Sequence, residues 1–163
     1  MRNQITGTWQ PVPVTKNFSE MKITKINRFS ERVYTAVLRL MPQLDSDAEL
    51  PTRQYFKSIL RSENTNFFIA EQDNKQIAGM LTIGTYRIPS GIKVWIEDVV
   101  VDETLRGKGF GKELMLFAIN YSKSLGTKSV GLTSRPSRIV ANRLYQELGF
   151  IQYKTNVYKY HLK

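Results

Sequence analysis

Arg106-Gly107-Lys108-Gly109-Phe110-Gly111 is the stretch on which the reading of this chain turns. An apolar run, Val94 to Val101, precedes it and reads as a strand. An amphipathic run, Phe110 to Leu125, follows and reads as a helix. Glycines let the backbone bend and approach a ligand closely. Unbonded N–H groups at a helix start, reinforced by the helix dipole, favour an anion. The turn therefore predicts a site for a phosphate-bearing ligand.

Working outward, the spacing predicts an α+β domain. Lys22 to Ile26 reads as a short strand. Ser30 is a candidate N-cap for a helix bearing Val33, Val37, Leu38 and Met41, ended by Pro42. Thr52 caps a second helix with Tyr55, Phe56, Ile59 and Leu60 on its buried side. Asn66 to Glu71, Gln76 to Arg87 and Lys93 to Val101 are strands. The short turns at Asp73-Asn74-Lys75 and Pro89-Ser90-Gly91 join them into an antiparallel meander. Beyond the glycine turn, Phe110, Leu114, Phe117 or Ala118, Tyr121 and Leu125 mark one helix face, and Gly126 its end. Lys128 to Thr133 is a short strand. A helix from Arg138 to Leu148 presents Val140, Leu144 and Leu148 to the core and stops at Gly149. Phe150 to Thr155 and Val157 to Leu162 read as two final strands. The order is β-α-α-β-β-β-α-β-α-β-β, a mixed, mostly antiparallel sheet with helices on both faces. Residues 1–20 show no period and read as an N-terminal extension; residues 21–163 form the domain.

Composition narrows the chemistry. The 163 residues suit one domain, and 41% hydrophobic content supplies a core. No apolar run approaches the roughly 20 residues that span a bilayer. The N-terminus carries no basic-then-apolar leader pattern, so the expected location is cytoplasmic and no membrane partner is expected. With no cysteine, disulfides, thiolate metal sites and a cysteinyl intermediate are excluded. The only histidine is His161, which argues against a Ser-His-Asp triad or a multi-histidine metal centre. No metal is expected. Net charge is +10, but Lys and Arg are scattered rather than clustered. This favours a solvated basic surface that steers a small anion; nucleic acid ranks behind it as a partner.

Three ordered pieces resemble the GNAT superfamily of acetyl-CoA-dependent N-acetyltransferases. They are the strand Trp95-Ile96-Glu97-Asp98-Val99-Val100-Val101 followed by Asp102; Arg106 to Gly111, which fits the pattern Arg/Gln-x-x-Gly-x-Gly/Ala; and Ala141 to Phe150, which is similar to an Asn-x-x-Tyr-x-x-x-Gly-Phe ending. The resemblance covers about residues 22–162. A glycine motif alone is weak, but three pieces in order are far more specific. A Walker loop does not fit, because the Gly-Lys-Ser/Thr ending is missing.

The resemblance implies acetyl-CoA as cosubstrate and an amine, of a small molecule or a protein, as acceptor. It implies that the amides around Gly107, Gly109 and Gly111, within Arg106, Lys108 and Phe110, cradle the pyrophosphate, with Lys108 and Lys112 adding charge at the rim. The backbone of Val99, Val100 and Val101 would bond the pantetheine arm and stabilise the oxyanion formed on attack. Tyr145 stands at the family's catalytic tyrosine position and would return a proton to the coenzyme thiolate; Asn142 would bond the arm. A primary amine, pKa about 10.4, is mostly protonated at neutral pH, so a base is needed. Glu97 and Asp98 are the candidates, with a water chain or no dedicated base as the alternative. Strand alternation predicts that one of them faces the cleft, with Glu97 preferred. Acceptor contacts are expected from Phe29 to Leu60, Tyr86 to Lys93 and Tyr153 to Tyr158. A homodimer is left open. A silent acyl-CoA-binding module and a basic nucleic-acid-binding domain stand as alternatives.

Overall fold

In a computed structural model of the chain, residues 21–162 are described. Their order is β1 (Lys22–Lys25), α1 (Glu31–Leu44), α2 (Arg53–Arg61), β2 (Thr65–Glu71), β3 (Ile77–Ile88), β4 (Gly91–Val101), a 3-10 turn (Glu103–Leu105), α3 (Phe110–Ser124) and α4 (Ile139–Glu147). The strands form one antiparallel sheet in the order β1-β2-β3-β4. The extension expected over residues 1–20 lies outside the described residues. Among those described, no helix is long and apolar enough to cross a membrane.

Both faces of the sheet are covered, as the uninterrupted apolar run of β2 requires. Phe67 and Ile69 point to one face, where α1 and α2 pack Val33, Val37, Leu40 and Phe56 against them. Phe68 and Ala70 point to the other, beneath Leu114, Met115 and Ala118 of α3. The caps form as the sequence predicts. Ser30 Oγ accepts from Val33 N, and Thr52 Oγ1 from Tyr55 N at 3.1 Å. Each cap satisfies an amide with no carbonyl partner in its helix and contributes about 1 kcal/mol.

Several local expectations are corrected. α1 runs through Pro42 to Leu44, because a proline in the last turn removes only its own N–H and the Asp45 amide still bonds Met41 O at 3.0 Å. Tyr55 is exposed rather than buried on α2, and Val140 of α4 is 84% exposed; Leu144 and Leu148 do pack on the core. The strand expected at Lys128 to Thr133 is reduced to one parallel bridge, Trp95 with Gly131. Phe150 to Leu162 forms no strand, and Tyr153, Val157, Tyr158 and Tyr160 are exposed. Alternation gives that segment strand propensity, but a strand also needs a partner edge for its N–H and C=O groups. In this structure the segment pairs with neither edge of the sheet, β1 or β4.

Candidate functional site

The glycine turn has the backbone the sequence predicts. Gly107 (φ 76°) and Gly109 (φ 90°) are left-handed, and Gly109 is the N-cap of α3. The first α3 amide to reach a backbone carbonyl is that of Glu113, bonded to Gly109 O at 3.1 Å. Helix geometry leaves the amides ahead of it available, and together they form an anion-binding concavity. Lys108 and Lys112 are exposed beside it, whereas the Phe110 ring is buried and only its backbone can take part. Arg106 behaves differently. Its guanidinium folds back and donates to Val101 O and Gln43 O, both at 3.3 Å, tying the turn to the end of β4 and to α1.

β4 is the edge strand, and a bulge interrupts it. Met80 pairs with Val100 but Thr82 pairs with Glu97, so β4 carries one extra residue. Asp98 absorbs it in the left-handed region (φ 50°), a conformation aspartate tolerates better than most residues. Asp102 N bonds Ala78 O at 2.8 Å, so alternation turns the backbone of Val100 toward β3 and the backbones of Val99 and Val101 toward the open edge. Of the three valines expected to offer backbone groups, Val100 therefore uses its own in the ladder.

The bulge also corrects the expectation that only one acid faces the cleft. Glu97, Asp98 and Val99 all line a cavity of about 440 Å³, together with Tyr145. Partial burial raises the pKa of both carboxyls above the ordinary range; for Glu97 the nearby Asp98 charge adds to the effect, and for Asp98 Arg138 opposes it. Burial likewise raises the Tyr145 phenol, again opposed by Arg138. Asn142 does not line this cavity. Its amide donates to Arg135 O at 2.9 Å and braces the loop ahead of α4.

The cavity contains residues that sequence reasoning did not single out. Arg135 pairs with Asp45 at 2.6 Å and holds its carboxyl below the usual range, while Arg138 donates to Leu44 O at 2.8 Å. These contacts fasten the end of α1 to the loop before α4 across long sequence separations, for which no local pattern exists. Ser134 Oγ, buried and without a hydrogen-bond partner among the described residues, lines the same cavity.

The fold and site thus define an α+β protein with an anion turn opening a helix, beside an open strand edge that ends at two carboxyls and a phenol. Residues 30–150 match the Acetyltransferase (GNAT) family, and the chain belongs to that family. The chain is 42% identical over 57 residues to the uncharacterized N-acetyltransferase YvbK of Bacillus subtilis, a match covering 35% of this chain and 37% of that one. It is 31% identical over 101 residues to the uncharacterized N-acetyltransferase MJ1207 of Methanocaldococcus jannaschii, covering 60% and 44%. The matched stretch therefore spans less than half of either relative. In fold it is similar to an aminoglycoside acetyltransferase from an uncultured soil metagenomic sample, with TM-score 0.74 and 20% identity over 88% of this chain and 97% of that one.

Proposed function

We propose that the domain, residues 21–163, moves the acetyl group of acetyl-CoA to a primary amine by direct attack while both substrates are bound, the acceptor being a small molecule or a protein amine. Residues 1–20 are read as an extension of it. The observation that carries this reading is the convergence of Glu97, Asp98 and Tyr145 on one cavity, next to the open backbone edge of Val99 and Val101.

The residues fit acetyl-CoA on three counts. The amides ahead of Glu113, with Lys108 and Lys112 near them, suit a pyrophosphate. The edge amides of Val99 and Val101 suit an amide-bearing arm. The unpartnered Ser134 hydroxyl is a polar group in need of a ligand. Acetyl-CoA supplies the activated thioester carbonyl. Glu97, or Asp98, takes a proton from the acceptor ammonium directly or through water, so that a neutral nitrogen forms the new C–N bond. The amide of Val99 or Val101 offers a hydrogen bond to the carbonyl oxygen as it gains charge. Tyr145 donates its phenolic proton to the sulfur as the C–S bond breaks, and regains one from solvent or the acceptor nitrogen. Arg106 and Asn142 hold the turn and the α4 loop in position. No cysteine exists to form an acyl-enzyme, which supports direct transfer.

Thermal unfolding with and without acetyl-CoA tests ligand binding. A hundredfold excess over Kd should stabilise the full chain by about 2.7 kcal/mol. Free-thiol release across an amine panel tests transfer. Tyr145→Phe should lower kcat by about 10²-fold or more with acetyl-CoA affinity within about twofold. No thermal shift, or a collapse of acetyl-CoA binding in Tyr145→Phe, would overturn the reading.

A further inference from the structure

Three residues form one row across the sheet: Thr65 of β2 pairs with Gly84 of β3, and Gly84 pairs with Trp95 of β4. The next row along the same face is Phe67, Thr82 and Glu97. Helix α2 covers the Phe67 end of that second row, packing Phe56 edge-on against Phe67 at 5.2 Å between ring centroids. The first row lies beyond its reach, and an open trough of about 510 Å³ sits there.

Gly84 is the floor of this trough. A Cβ built on it would meet no described residue within 4 Å, and its backbone is not left-handed, so space rather than conformation is what glycine provides here. Trp95 and Tyr86 form the wall. The indole lies over Gly131, where an added Cβ would come within 3.2 Å of its six-membered ring, and its Nε1 donates to Tyr86 Oη at 3.2 Å. Two hydroxyls of the lining are also engaged. Thr65 Oγ1 accepts from Ser62 Oγ at 3.1 Å, and Thr85 Oγ1 donates to Asn64 O at 3.3 Å. Among the described residues, no lysine or arginine lines the trough, and the one charged side chain in its lining is Glu97. Glu97 also lines the cavity of Asp98 and Tyr145, so it stands where the two spaces meet.

A trough with aromatic walls and a carboxyl at its inner end favours an acceptor that is both aromatic and cationic. An anionic body would find no cation among the described residues that line it. We propose that the Gly84-floored trough holds the acceptor, and that this acceptor is an arylalkylamine: a flat apolar ring beside Trp95 and Tyr86, joined by a short linker to an ammonium at Glu97. The assignment rests on the acetyltransferase reading above. The ammonium gives one proton to Glu97, the neutral nitrogen bonds the acetyl carbon, and the C–S bond breaks with a proton passing to sulfur.

The test uses the full chain with phenylethylamine, glucosamine and a lysyl peptide as acceptors. Phenylethylamine should have the highest kcat/KM. Gly84→Val, which suits a strand and fills the floor, should raise its KM by about tenfold or more and leave the KM for acetyl-CoA within about twofold. Tyr86→Ser, at a half-exposed position, gives the same direction if the valine variant folds poorly. A higher kcat/KM for glucosamine or the lysyl peptide, or a phenylethylamine KM indifferent to both variants, overturns the trough while the transferase reading stands. Thiol release with no amine at all sinks the transferase reading instead. Tryptophan fluorescence then decides the trough, since Trp95 is one of two tryptophans. A saturable change with phenylethylamine that Gly84→Val weakens retains it, and no saturable change overturns it.

Discussion

Arg39 of α1 is ion-paired with Asp102, whose carboxylate is 5% exposed where β4 passes into the glycine turn. The same carboxylate accepts from Thr104 N at 3.0 Å and Thr104 Oγ1 at 2.7 Å, and Arg39 also donates to Ile77 O at 2.8 Å. One turn further along α1, Gln43 Oε1 accepts from Glu103 N at 2.8 Å. Helix α1 thus anchors the turn at one point and, through Asp45 and Arg135, the α4 loop at another. The two halves of the site are registered through one helix, whose Met41 and Leu44 also line the cavity of Glu97, Asp98 and Tyr145.

The pair is unequal, and the inequality is measurable. Arg39 is 40% exposed and can recover hydration when its partner is lost; Asp102 cannot. Arg39→Met should therefore destabilise by about 2–4 kcal/mol, because it leaves a buried carboxylate uncompensated. Asp102→Asn, which keeps an acceptor for Thr104, should cost about 1–2 kcal/mol, a value discounted for the solvent around Arg39. Urea unfolding of the two variants measures the difference. Losses near zero in both variants would mean that the pair carries little of the stability.

Gly79 is required for a close approach. A Cβ there would lie 2.6 Å from Val100 O, which is backbone, and 3.1 Å from Leu114 Cδ1. Since Val100 adjoins the bulge, Gly79→Ala should push β4 away from β3 where the edge groups of Val99 and Val101 are set. The expected cost is about 1–3 kcal/mol by urea unfolding, with weaker acetyl-CoA binding by calorimetry. Gly84→Ala, on the same strand with open space above it, should show neither effect.

The raised carboxyls set the direction of the pH response. A base must be ionised to act, so kcat/KM should rise with pH along a limb above the ordinary carboxylate range. The limb should be altered in Glu97→Gln or Asp98→Asn; identical profiles in both variants would remove both bases. Stability has the opposite sign. A folded pKa above the unfolded one means that the folded state binds the proton more tightly, so this contribution is present at low pH and lost as pH rises through the folded pKa. Glu97→Gln should accordingly stabilise the chain at about pH 8, with the gain vanishing toward about pH 4 in thermal unfolding.

The sequence alone determined the features that are local. The caps at Ser30 and Thr52, the meander, the left-handed turn at Gly107 and Gly109 and the α3 stripe each depend on residues a few positions apart, where propensity and hydrogen bonding act directly. The family was legible for the same reason, since its motifs are short and ordered. What depends on partners distant in the chain was decided by tertiary structure alone. The bulge that turns both Glu97 and Asp98 into the cleft arises from the pairing of β4 with β3, and no alternation rule within β4 contains it. The inward fold of Arg106, the Asp45–Arg135 pair and the open space over Gly84 likewise exist only once α1, the α4 loop and the sheet meet. The segment Phe150 to Leu162 marks the boundary from the other side: it has the alternation of a strand, but it pairs with no sheet edge, and alternation alone builds no ladder.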